Sequence, residues 1–189
     1  MMQIENFKNH PYTYIIGMAA VCWHLFLLAY ELIQYALGLG AGIFNPGVQF
    51  FFAASWFVEM GVIFLYFQGK KPGYLPFVII GVVNGIHLLL NFLYFLTFNV
   101  DYFEFSMVYF WLNVLVVMGS ILGLFLIPKS PELVRFRGFF IFMMMAGVLL
   151  CIYFIDYYNF YLFLIAHLFI GLAQLLLLTF YYPEWNKLR

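Results

Sequence analysis

Five ionisable side chains stand inside long apolar stretches of this 189-residue chain: His24, Glu31, Glu59, His87 and His167. Asn84, Asn91, Asn113 and Gln174 accompany them, in stretches otherwise made of Leu, Ile, Val, Phe and Met. An ionisable group in such surroundings is costly unless it is paired or hydrated, so each of these positions is a functional-site hypothesis. Desolvated carboxylates beside histidines that titrate near neutrality form the usual relay for moving a proton together with a substrate. In that reading Glu59 is the gating carboxylate, and His24 and His87 are its partners.

The spacing of these residues carries further information. On a helix at about 100° per residue, an interval of seven returns to within about 20° of the starting face. His24 and Glu31 are separated by that interval, as are Asn84 and Asn91, with His87 between them on the same flank. Ser106, Asn113 and Ser120 repeat it, and so do His167 and Gln174. Counting from the ends of the apolar runs puts His24, Glu59, His87 and Asn84 near mid-depth. Glu31, Asn91, Asn113 and His167 count to the outer half. The pattern predicts a polar pocket open to the extracytoplasmic side and closed toward the cytoplasm, with Trp23 and Trp56 in its walls.

Two other chemistries use the same residues. His24 and His87, at similar depth on helices running the same way, could ligate a b-type haem from both sides. His24, His87 and His167, with Glu31 or Glu59, could hold Zn²⁺ in an enzyme of lipid metabolism. Neither the HxxxH nor the HExxH spacing that sets two ligands on one face occurs. The plain alternative is that Asn, Gln, Ser and His act as interhelical glue, worth about 0.6 kcal/mol each. Gly81-Val82-Val83-Asn84-Gly85 and Gly119-Ser120-Ile121-Leu122-Gly123 have the small-xxx-small form and read as packing motifs.

The elements that must position these residues follow from composition. Hydrophobic residues make up 67% of the chain and charged ones 8%, whereas a soluble domain carries roughly 25% charged residues. Such a chain hides its apolar surface by being solvated in lipid. Apolar runs long enough to span about 30 Å of hydrocarbon occur at residues 12–39, 47–68, 74–98, 106–127, 138–155 and 160–182, which makes six. Turn-rich or charged separators divide them, including Asn99 to Phe105, Pro128 to Arg137 and Asp156 to Asn159. Ser130-Pro131-Glu132 is a good helix start, so the fifth helix is expected to begin before the membrane plane. The fifth run holds no polar residue beyond Cys151 and is expected at the lipid-facing periphery.

Orientation comes from the basic residues, which resist translocation. Lys8, Lys70, Lys71, Lys129, Arg135, Arg137, Lys187 and Arg189 all fall on one side of a six-span topology, while Asp101, Glu104 and Asp156 fall on the other. Both termini are therefore expected in the cytoplasm. Tyr102, Tyr109, Tyr157, Tyr158 and Tyr161 would form an outer aromatic belt, and Tyr12, Tyr14, Tyr66, Tyr74, Tyr181, Tyr182 and Trp185 an inner one. The first apolar run is too long for a signal peptide and is expected to remain in the mature protein. Cys22 and Cys151 read as small core residues.

His24 and Glu31 on one helix, Ser55-Trp56-Phe57-Val58-Glu59 on the next and His87 on the third resemble the sterol isomerase and sigma-2 receptor family. Members of that family enclose a lipid-like amine between carboxylates. The resemblance covers half of the chain, and six spans exceed that family's number, so no residue role is taken from it.

The sequence thus reads as an all-α, polytopic membrane protein of six transmembrane helices in one domain over residues 1–189. Its expected role is to bind, and to transport or sense, a small molecule or ion in an intramembrane polar cavity. A b-haem-bearing redox subunit and an intramembrane enzyme of lipid metabolism are the alternatives; no cofactor is required by the first reading. Expected partners are the lipid bilayer, the small molecule or ion, and other membrane subunits or further copies of the chain. Nucleic acid is excluded, because eight scattered basic residues make no continuous track for phosphates. The expected location is the cell's cytoplasmic membrane.

Overall fold

The computed structural model of the protein describes residues 11–39, 74–97, 102–129, 134, 136–156 and 159–186, and every regular element among them is helical. In chain order these are α1 (Pro11–Ala36), α2 (Tyr74–Thr97), α3 (Tyr102–Leu126), α4 (Arg137–Ile155) and α5 (Phe160–Asn186). A short 3-10 turn, Ile127–Lys129, follows α3. Within them Met18–Ala36, Met107–Leu126 and Arg137–Ile155 are long and apolar enough to cross a membrane, and Leu75–His87 and Phe160–Leu176 are shorter apolar runs. The span expected at 47–68, with Ser55, Trp56 and Glu59, lies outside the described residues.

Helix ends follow local chemistry. α1 stops because Gly38 takes φ +69°, a conformation that costs a Cβ-bearing residue and that glycine adopts freely. The Leu39 amide then donates to the Gln34 carbonyl at 3.1 Å, and the Gly38 amide to that of Tyr35 at 3.1 Å. This double bond pattern satisfies carbonyls that the last turn leaves open. The helix therefore ends before the Gly40 separator expected from hydropathy. α4 closes at Asp156, whose amide donates to the Ile152 carbonyl at 2.7 Å. α5 opens at Asn159, whose side-chain oxygen accepts from the Tyr161 amide at 3.1 Å, as a cap residue does.

Two expected starts shift. α3 begins at Tyr102, four positions before the expected 106. α4 begins at Arg137 after Phe136, which makes no side-chain capping bond. Ser130, the cap expected from sequence, lies outside the described residues.

Packing runs α2 on α3, α3 on α4, α4 on α5 and α5 on α1. α4 is thus central to this arrangement, against the expectation of a peripheral helix. Phe139, Phe140, Met143, Ala146, Gly147, Leu150 and Tyr153 are buried on it. The absence of polar residues misleads here, because lipid tails and a bundle interior are equally apolar and van der Waals fit decides between them. Phe77 of α2 stacks on Phe139 at 5.6 Å and lies 5.1 Å from Phe140. Close approach depends on glycine: a Cβ at Gly147 would meet Val117 at 2.8 Å and the Asn113 carbonyl at 3.2 Å. Gly119 and Gly123 likewise admit α2 and α4 side chains, whereas a Cβ at Gly81 would meet nothing within 4 Å among the described residues.

Candidate functional site

The stripe that α1 buries contains Val21, His24, Leu27 and Glu31. Steps of three and four along a 3.6-residue helix keep these positions on one side. On α5 the buried stripe includes Phe163, His167, Ile170 and Gln174. The two seven-residue pairs read from sequence, His24 with Glu31 and His167 with Gln174, therefore face inward on two helices that pack together.

The α1–α5 register is fixed at two places. At one end Tyr35 stacks on Phe160 at 4.1 Å, and its hydroxyl lies 3.5 Å from that of Tyr161. Farther along, a Cβ on Gly171 would meet Leu25 at 3.2 Å and the His24 ring at 3.6 Å. The helices are thus antiparallel. From the α4–α5 turn inward the seam carries Glu31, then His167, then His24, then Gln174. His24 to Glu31, and His167 to Gln174, each cover about 10 Å of helix axis.

The two imidazoles form the middle of this file. Their rings stack, with centroids 5.8 Å apart and an interplanar angle of 18°. His24 Nε2 lies 3.2 Å from the His167 carbonyl, and His167 Nδ1 lies 3.0 Å from the Phe163 carbonyl. A carbonyl only accepts, so each of those nitrogens carries the proton, and in the neutral rings His24 Nδ1 and His167 Nε2 are acceptors. Gly171 gives close approach to Leu25, which a Cβ there would meet at 3.2 Å, while the His24 ring lies at ordinary contact distance. Counting depth from helix ends separates the two histidines; the reach of the His24 side chain to the His167 carbonyl joins them.

Around this pair the other polar side chains are less alike. Glu31 is fully buried, at 0% exposure. Gln174 is 1% exposed, and among the described residues neither Oε1 nor Nε2 has a hydrogen-bond partner, an arrangement that costs about 1–3 kcal/mol in a protein interior. His87 of α2 is half-buried and meets the Tyr109 ring edge-on at 5.2 Å. Asn113 is buried and donates to the Tyr109 carbonyl on its own helix at 2.8 Å, while its Oδ1 has no partner among the described residues. Ser120 donates to the Val116 carbonyl at 2.8 Å, a bond to its own backbone, and has none to a neighbouring helix among the described residues.

Several expectations do not hold. Trp23, expected in a pocket wall, is 43% exposed and stacks on Phe26 at 5.5 Å, because it sits about 100° around α1 from the buried stripe. Tyr109, expected in the outer belt, is buried between His87 and Phe154. The histidine that faces His24 is His167 and not His87. Among the described residues no three His, Cys, Asp or Glu side chains gather closely enough to hold a metal ion; Glu59, one of the expected metal candidates, lies outside them. Asn84 and Asn91 lie on α2, and their side chains, like Glu59 and Trp56, are outside what is described. The Tyr35–Tyr161 contact and the Gly171 seat were not foreseen. A glycine one turn after His167 on the same face was their one available signal.

The fold and this seam define an all-helical protein with three helices long and apolar enough to cross a bilayer and a buried file of polar side chains between two of its helices. Compared with models of known families, with curated proteins and with solved structures, the chain matches none.

Proposed function

We propose that the protein crosses the membrane six times with both termini in the cytoplasm, and that it binds a small molecule or ion in the α1–α5 seam. The observation that carries this reading is the file Glu31, His167, His24 and Gln174, buried together inside an apolar bundle. Packing alone has no use for a carboxyl group and an amide there: apolar residues of the same volume avoid the cost of burying them. Their retention on one seam is what a binding site requires. With all eight basic residues assigned to the cytoplasmic side, the Glu31 end of the seam faces the extracytoplasmic side, where a ligand enters.

Thermal unfolding of the purified full chain tests this proposal, with sodium, potassium, alkylammonium, alkylcarboxylate and alkylamide salts or solutes as probes. At least one class should raise the melting temperature of the wild type saturably, and both Glu31→Gln and His24→Phe should weaken that response at least tenfold in half-saturating concentration. No response from any class, or a response untouched by both substitutions, would refute it.

A further inference from the structure

Tyr35 follows Glu31 by one turn on nearly the same side of α1, about 6 Å farther along the axis. Tyr35 is 41% exposed, whereas Glu31 is 0% exposed. Access therefore falls from open to none within a single turn. An aromatic cluster stands at that boundary. The Tyr35 ring lies on Phe160 at 4.1 Å and meets Tyr161 edge-on at 5.9 Å, and Phe160 and Tyr161 meet at 6.2 Å. Phe160 is buried and Tyr161 exposed, so the cluster has a dry side and an open side. Stacked rings at this separation leave no passage between the two helices. Farther in, a Cβ on Gly171 would already meet Leu25 at 3.2 Å. The seam is closed as it stands, and whatever reaches the polar file does so after α1 and α5 have parted.

The helix arrangement makes α1 the element that parts. α4 packs on both α3 and α5, whereas among the described helices α1 packs chiefly on α5. Elements with fewer packed neighbours open at lower cost. The outer contact is itself weak: the two exposed hydroxyls, 3.5 Å apart, add little, and a ring pair of this kind shifts a population about two- to tenfold. Resting on the reading that this seam binds a small molecule or ion, we infer that Tyr35, with Phe160 and Tyr161, is a gate at the outer end of the seam. The closed arrangement exchanges with one in which the outer end of α1 stands away from α5 and Glu31 meets water. Tyr35 is a positioning residue in this account: it sets the fraction of open molecules, and a ligand's apparent affinity scales with that fraction.

The test is the rate at which a thiol at position 31 is labelled. Glu31→Cys is made in a full chain lacking Cys22 and Cys151, purified in detergent so that a charged methanethiosulfonate reaches both ends of the bundle. Tyr35→Ala is expected to speed labelling about two- to tenfold, and Phe160→Leu, which removes the other ring of the stack, to act in the same direction should Tyr35→Ala fail to fold. Tyr35→Phe keeps the ring and is expected to leave the rate unchanged. Gly123→Ala loosens α3 from α4, far from the gate, and is expected not to speed labelling, which separates a local opening from general loosening. A thiol at position 31 that reacts as fast as one placed by Leu37→Cys, with the gate intact, overturns the inference. So does labelling untouched by Tyr35→Ala and Phe160→Leu, or accelerated as much by Gly123→Ala. These outcomes leave the binding seam standing, whose own failure shows as thermal unfolding of the Glu31 protein silent to every probe, whatever the labelling rates.

Discussion

Replacing Gly123 by alanine tests the helix packing on which the seam rests. A Cβ at that position would lie 2.5 to 2.6 Å from three ring carbons of Phe140, against an optimum of about 3.5–4.0 Å for carbon atoms. Phe140 has no exposed surface and is held by Phe77 at 5.1 Å and Phe139 at 5.3 Å, so its ring cannot swing aside and α3 must move from α4. Overpacking of this kind costs about 1–3 kcal/mol. Alanine also gains about 1 kcal/mol of helix propensity over glycine. Gly81→Ala carries the same gain with nothing among the described residues within 4 Å of the new methyl group, so the difference between the two variants isolates the clash. Reversible unfolding in SDS from mixed micelles should place Gly123→Ala about 1–3 kcal/mol below Gly81→Ala. Equal stabilities, to within about 0.5 kcal/mol, would refute the α3–α4 contact.

The outer end of the seam gives a second expectation: Tyr35→Phe, which removes only an exposed hydroxyl contact of 3.5 Å, should cost under about 0.5 kcal/mol in the same unfolding assay. Tyr35→Leu, which removes the stack on Phe160 at 4.1 Å, should cost a further 0.5–1.5 kcal/mol or so. Ser120→Ala should be within about 0.5 kcal/mol of wild type, because the serine hydroxyl bonds only its own helix; a loss above about 1 kcal/mol would mean an interhelical role. For the topology, cysteines at Asp101 and Asp156 in a background lacking Cys22 and Cys151 should react with an impermeant maleimide applied to intact cells. Cysteines at Lys70 and Lys187 should react only after lysis, and the reverse pattern would contradict the orientation.

Much of the helix layout is legible in hydropathy. The expected runs at 74–98, 138–155 and 160–182 meet α2, α4 and α5 at Tyr74–Thr97, Arg137–Ile155 and Phe160–Asn186, and the Asp156 to Asn159 separator is the α4–α5 turn. Seven-residue spacing found the inward faces of α1 and α5, because polar residues are costly enough in lipid to mark a buried side. What spacing does not contain is which helices adjoin. Depth counting sets His87 level with His24 and His167 farther out, whereas the pairing with His167 follows from α1 docking against α5. The place of α4 was hidden for a related reason: Phe139, Phe140 and Tyr153 suit either lipid or a protein interior, and only glycines on facing helices decide. Trp23 and Tyr109 show the same limit from the other direction, since a depth along a helix does not fix an angle around it.

The pairing of His24 with His167 is measured most directly by ¹⁵N solid-state NMR of imidazole-labelled protein in lipid bilayers at neutral pH. The seam requires opposite tautomers: a proton on Nε2 of His24, given to the His167 carbonyl, and on Nδ1 of His167, given to the Phe163 carbonyl. Two resolved rings, one of each tautomer, with assignment by His24→Phe and His167→Phe, are the predicted result. Identical tautomers at both sites, or signals averaged as in freely hydrated imidazoles, would contradict a sealed file of polar groups between α1 and α5.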